Sequence, residues 1–378
     1  MFKENKYSNF LSWFNRIRTL NRRMLIHSSS AKVREIRPPF TQYLRILASR
    51  CFRRPVRASW IRATNALGAI YAHRSLGSSE DMEALRTFLD QHIDAQGTWK
   101  ITPRGVDDAM KGYSFLYLAE VTGEARYRNA AHWLTDYLIT TYPKASDGSL
   151  LYFPSVDIVL VDMLGMVCPF LTRYGSLYGH SASLEMSACQ VLQFIQQNVD
   201  ADTHLPYHGY YPNGPKRLGM QGWGRGTGWY MLGLVDTLVD LPKYHPASST
   251  ILDAYQMCAA ALRKFQRPDG HWSWAIPLRK APYDSSATAF LGYSLMRGLQ
   301  AGLLDPSYFK VIKSAIEALM AVTSPNGLLD GSMAECLGVG LYPAVFGPQP
   351  WLQGMACALA ALWAQYVEKD LPALQDRV

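Results

Sequence analysis

The sequence is short of the features that define several large protein classes. It contains no run of 18 apolar residues, so no membrane-spanning helix is predicted. Its six cysteines (Cys51, Cys168, Cys189, Cys258, Cys336 and Cys357) are widely spaced and form no CxxC pair, which argues against a disulfide framework. Most sit in apolar contexts such as Met257-Cys258-Ala259, the setting of free buried thiols in a reducing compartment. HExxH and Cys/His clusters are absent, so no metal is expected. No GxGxxG or P-loop stands between a strand and a helix, and there is no GxSxG elbow. Cofactor-dependent and serine-hydrolase chemistries therefore find no footing, and no cofactor is expected. The N-terminus lacks the apolar stretch and cleavage site of a secretory signal, which makes a cytoplasmic location the expectation.

Charge of one sign is also scarce where it would matter. The net charge of +8 hides an uneven split: residues 1–60 carry 14 Lys and Arg against Glu4 and Glu35, or +12. The remaining chain sums to −4, so no basic face for nucleic acid is expected on the folded body. Within 1–60, Phe10, Leu11, Phe14, Ile17, Met24 and Leu25 recur near helical spacing among Arg16, Arg18, Arg22 and Arg23. This segment reads as a partly amphipathic helix or tail, packed on the body through a few apolar residues or resting on an anionic membrane. An Arg- and Ser-rich, acid-poor start also suits an organelle transit peptide.

The body, residues 61–378, is dominated by helical periodicity. Ser78-Ser79-Glu80-Asp81 caps a helix bearing Met82, Leu85, Phe88 and Leu89 on one face. A second helix runs from Asp108 to Val121 and stops at Thr122-Gly123; a third carries Tyr127, Ala131, Leu134 and Leu138. Further helices are predicted near 181–198, 228–240, 248–266, 285–303, 306–322 and 350–367, with little strand-like alternation. The linkers at 141–160, 199–227, 267–284 and 324–348 are long and rich in Gly, Pro and aromatics, as functional loops are. Paired helices with long loops at one end predict an all-α toroid whose loops line a central cleft. A helical solenoid, the competing architecture, has tighter repeats and shorter connections.

What the chain does have is a set of polar groups at loop-to-helix junctions. In Gln221-Gly222-Trp223-Gly224-Arg225-Gly226-Thr227-Gly228-Trp229, four glycines alternate with two indoles, a guanidinium and a hydroxyl. It is either a glycine-rich turn with structural tryptophans or a site for a flat, acid-bearing sugar ring. Asp107 and Asp108 open a helix, where Asp107 reads as a cap and dipole partner. Asp162 is a lone carboxylate in the apolar run Val159–Met166, and reads as a cap or a functional acid. His208 lies among Tyr207, Tyr210 and Tyr211, and Asp284 precedes a helix it could simply cap. Carboxylates, one histidine, one arginine and many aromatics are the equipment of carbohydrate chemistry.

In family order, these pieces resemble the unsaturated glucuronyl and rhamnogalacturonyl hydrolases, glycoside hydrolase families 88 and 105, and more closely the 105 branch. The resemblance rests on Val106-Asp107-Asp108-Ala109, Glu120–Glu124 with Arg126-Tyr127, and Val161-Asp162 with Met166 and Pro169–Leu171. Tyr207-His208-Gly209, Trp223–Gly226 with Gly228-Trp229, and Asp284–Ala289 complete it. It covers about residues 100–300 and finds no counterpart for 1–60. It implies an (α/α)6 barrel and removal of a 4,5-unsaturated uronyl residue from the non-reducing end of an acidic oligosaccharide. By position it implies Asp162 as general acid/base and Asp108 as a second carboxylate. Arg225 would hold the uronate, Trp223 and Trp229 would wall the ring, and His208, Thr227 and Asp284 would contact the substrate. The chain departs from the family at Thr227 (usually Asn), Gly165 (usually larger), Thr203–Pro206 and Asp284 (usually Glu). Two other functions fit the same residues: hydrolysis of a saturated acidic sugar, and a non-catalytic glycan-binding or membrane-associated role.

Overall fold

A fully buried helix and a surface helix differ in pattern, and the two kinds alternate along this chain. The computed structural model describes residues 2–26 and 59–375, apart from residues 104, 155, 214–216 and 337. Six helices are buried on nearly every face: α2 (Ser59–Leu76), α4 (Ala109–Thr122), α6 (Asp162–Tyr178), α8 (Gly224–Asp240), α10 (Ser285–Gln300) and α12 (Pro350–Gln375). Between them run helices buried along one stripe: α3 (Ser79–Leu89), α5 (Ala125–Asp136), α7 (Ser181–Asn198), α9 (Ser248–Phe265) and α11 (Tyr308–Ala321). The buried helices pack in sequence order and close into a ring where α12 meets α2. At that closure Gly68 and Gly354 let the backbones touch, since a Cβ on Gly354 would lie 2.3 Å from the Thr64 carbonyl oxygen.

The ring needs a sixth outer helix, and α1 (Phe2–Ile26) supplies it. Its Phe10, Trp13, Phe14, Ile17 and Leu25 are buried against α2, α3 and α12. Trp13 donates its indole N–H to Thr323 at 2.8 Å, and Gln353 on α12 donates to the Ile17 carbonyl at 2.9 Å. On the polar side Arg18 and Arg22 meet the buried Asp81 of α3 at 3.3 and 3.6 Å. The apolar stripe that suggested membrane docking is therefore already covered by the barrel, which removes the physical reason for peripheral membrane contact through this helix. The rest of the predicted segment, residues 27–58, lies outside the described residues. Among the described residues, twelve helices thus form an (α/α)6 barrel, and no helix is long and apolar enough to cross a membrane.

Topology decides where a site can form. Every inner helix from α4 onward is entered through a long loop, so those loops gather at the N-terminal ends of the inner ring. Two short antiparallel pairs brace them: β1 (Val159–Leu160) with β2 (Gly209–Tyr210), and β3 (Ser332–Met333) with β4 (Phe346–Gly347). Below them the barrel axis is filled; a cavity of about 10 Å³ lined by Ala63, Leu67, Met110, Gly165 and Leu232 has room for about one water.

Candidate active site

The β1–β2 pairing places the two sequence candidates Asp162 and His208 side by side. Leu160 pairs with Gly209, and the Val161 amide donates to the His208 carbonyl at 2.8 Å. Asp162, the first residue of α6, then faces His208, with Oδ2 3.6 Å from Nε2 and both side chains largely buried. Among the described residues that carboxylate oxygen has no hydrogen-bond partner. A buried acceptor left open costs free energy unless a ligand or the helix N-terminus compensates, which is how a reactive carboxylate is held.

A second carboxylate enters the same field, and it is Asp107. Burial pushes its carboxyl up to about 6; the charges of Asp108 and Asp162 add to the effect, while a hydrogen bond from the buried Tyr152 opposes it. Asp108, expected to be the second carboxylate, is ion-paired with Lys111 one turn further along α4. The sequence offered no way to choose between adjacent aspartates. The short 3₁₀ turn Val106–Asp108 that sends them in different directions is a tertiary feature.

The glycine-rich stretch divides between site and core. Trp223 packs on His208 with ring centroids 4.5 Å apart and planes tilted by 40°. Gly224 begins α8, and from there helical phase takes over. Trp229 is fully buried against Trp60 and Phe290. It fills the space that Gly165 leaves open on α6, where a Cβ would sit 2.5 Å from the indole. The pair is a helix-packing device: Trp229 lies in the core, in place of the ring wall expected of it, and Gly165 packs against it. Thr227 turns its hydroxyl back to the Trp223 carbonyl at 3.0 Å, a bond within its own helix.

Arg225 is buried under the loop that carries β3 and β4. It donates to the carbonyls of Met333 at 2.8 Å and Ala334 at 3.2 Å, and its guanidinium lies between the rings of Trp223 and Trp351. Asp284 caps α10: its Oδ1 accepts from the Ser286 amide and hydroxyl and from the Met333 amide at 3.1 Å, leaving Oδ2 buried and unpartnered. Burial raises its pKa, opposed by the nearby Arg225 charge. Both residues therefore fasten the 332–347 loop over the cleft, in place of the open substrate contacts expected of them. From that loop Tyr342 reaches His208 Nδ1 at 2.9 Å. Tyr152 and Tyr342 were not picked out by sequence; the only signal was the length of the loops that hold them. Among the described residues no group of three or more His, Cys, Asp or Glu could hold a metal ion.

Comparisons with known proteins agree with this architecture. Residues 31–342 match the model of Glycosyl Hydrolase Family 88. The unsaturated rhamnogalacturonyl hydrolase YesR of Bacillus subtilis (strain 168) is 22% identical over 289 residues, covering 74% of this chain and 80% of YesR. The fold is shared with a possible member of the GH105 family from Klebsiella pneumoniae subsp. pneumoniae MGH 78578. That structure has a TM-score of 0.75 and 22% identity, covering 81% of this chain and 82% of the other. The unsaturated glucuronyl hydrolase of Bacillus sp. GL1, responsible for the degradation of glycosaminoglycan, superposes with a TM-score of 0.64 at 17% identity, covering 81% and 86%.

Proposed function

Since the chain belongs to glycosyl hydrolase family 88, we propose that it removes a 4,5-unsaturated uronyl residue from the non-reducing end of an acidic oligosaccharide. One observation carries the reading: a buried carboxylate oxygen of Asp162 with no hydrogen-bond partner among the described residues, 3.6 Å from His208 and in the field of a second, partly buried acid.

The chemistry follows from those groups. The Asp162 carboxyl gives its proton to C4 of the double bond, and positive charge develops at C5, shared with the ring oxygen. Water adds at C5 and returns a proton to the carboxylate, which regenerates the acid. The hemiketal at C5 then opens by breaking the bond from C5 to the ring oxygen. The hemiacetal left at C1 collapses and releases the remaining saccharide. Asp107, rather than Asp108, is the second carboxylate in this scheme. With its carboxyl held at about 6 it keeps a share of protonated form near neutral pH, able to donate to a sugar oxygen. Trp223 and Arg225 are buried behind this pair, Trp223 packed on His208 and Arg225 held under the loop that carries β3 and β4.

The decisive experiment offers purified protein a lyase-generated unsaturated disaccharide beside its saturated counterpart, in water labelled with ¹⁸O. The expected result is loss of the ultraviolet absorbance of the conjugated uronate, with label in the keto acid formed and none in the released sugar. Persistence of the absorbance, or turnover of the saturated compound instead, would overturn the proposal.

A further inference from the structure

Histidine can present a donor or an acceptor at either ring nitrogen, and the hydrogen bond made by one nitrogen decides what the other offers. At His208 that choice is fixed by a residue outside the carboxylate pair. The Tyr342 hydroxyl oxygen lies 2.9 Å from His208 Nδ1 and also 2.9 Å from the Met220 amide, which donates to it. A phenol has a single hydrogen and few acceptor positions. With the Met220 amide on one lone pair of the oxygen and the Asp162 carboxyl facing Nε2, which calls for a donor there, the phenol hydrogen is left for Nδ1. Burial raises the Tyr342 pKa well above the usual phenol value, so the hydrogen is present at any working pH.

We propose that Tyr342 is a positioning residue that holds His208 as the neutral tautomer with its proton on Nε2, aimed at Oδ2 of Asp162. The backbone is built for this arrangement. Gly219 has φ +72°, and a Cβ there would lie 2.6 Å from the Tyr342 oxygen and 2.8 Å from the His208 Cβ. Trp223 closes the third side, with its ring 4.5 Å from His208 and 5.6 Å from Tyr342. A neutral Nε2–H stabilises the Asp162 carboxylate each time it has given up its proton, yet leaves Asp162 free to take the proton back. A doubly protonated ring would hold that carboxylate ionised and slow its return to the acid. Only this kinetic consequence rests on the proposed hydrolase activity; the position of the proton does not.

The test reads the proton directly. Full-length protein labelled with ¹⁵N-histidine gives ring nitrogen shifts by long-range proton–nitrogen correlation, and His208→Gln identifies the signal. The expected wild-type pattern is a protonated Nε2 and an unprotonated, hydrogen-bonded Nδ1. In Tyr342→Phe the Nδ1 shift moves towards the protonated value, and kcat falls by about 10- to 100-fold with KM little changed. Gly219→Ala, which keeps the phenol but displaces it, is expected to reproduce both changes. A wild-type spectrum with the proton on Nδ1 overturns the proposal. So does a folded Tyr342→Phe protein whose ring shifts and kcat match the wild type.

Discussion

The two ends of the inner helices carry similar residues and treat them in opposite ways. At the N-terminal ends, Asp162 Oδ2, Asp284 Oδ2 and the Trp223 indole N–H are buried without a hydrogen-bond partner among the described residues. At the C-terminal ends, Asp236 has both oxygens bound, by Arg297 Nε at 3.0 Å and the Tyr293 hydroxyl at 2.7 Å. Tyr71 extends that network at 2.8 Å, and Arg173 bridges Asp240 and Glu120. Helix dipoles suit the division: their positive ends face the open carboxylates, and their negative ends face arginines. Satisfied charges fix a structure, whereas unsatisfied ones wait for a ligand. The barrel thus keeps its stability at one end and its chemistry at the other.

Substitutions can break that contrast. The largest effect on stability is expected from Asp236→Ala, which strands a buried arginine at a cost of about 3–5 kcal/mol. Chemical denaturation should show the loss, while the folded fraction keeps its kcat. Gly165→Ala drives a methyl into Trp229 and should cost about 1–3 kcal/mol by the same measurement, with KM unaltered because neither residue meets substrate. A change in KM alone would return Trp229 to the sugar site.

Asp107 sharpens the contrast through pH. Its folded-state pKa is raised to about 6, so the stability it contributes is present below the ordinary aspartate range and lost as pH rises through 6. Asp107→Asn abolishes this titration. The variant's thermal midpoint should therefore gain on the wild type between about pH 4 and pH 6 and stay level above. A difference independent of pH would show that the carboxyl is not raised. The smallest effect belongs to Thr227→Val, which removes one hydrogen bond within α8 and should cost about 0.5–1.5 kcal/mol without changing KM.

Legibility in the sequence followed the same physics. Outer helices were readable because one face is wet: α3, α5, α9 and α11 fall close to their predicted spans, and Ser78 caps α3 as expected. Two inner helices, α2 and α6, escaped notice because burial on all sides erases the 3.6-residue period, and Pro169 lies inside α6. The stripe of α1 was visible, but nothing local says that its partners are the last helix and the second. Within the site, Asp162, His208 and Trp223 were legible from their junctions and are brought together. Trp229 was misplaced because it lies inside α8, where helical phase rather than the preceding loop sets its direction, while Trp223 precedes the helix. Asp107 and Tyr342 depend on a 3₁₀ turn and on a loop more than 130 residues from His208, and no local pattern encodes either.

The account stands on Asp162 as the acid that protonates the unsaturated ring. Its most direct test measures kcat/KM of Asp162→Asn on an unsaturated disaccharide, with the thermal midpoint measured alongside. The predicted result is a loss of about 10²- to 10⁴-fold at a little-changed midpoint, since the amide keeps the shape of the side chain but has no acid proton to give. Turnover close to the wild-type rate in that folded variant would contradict it.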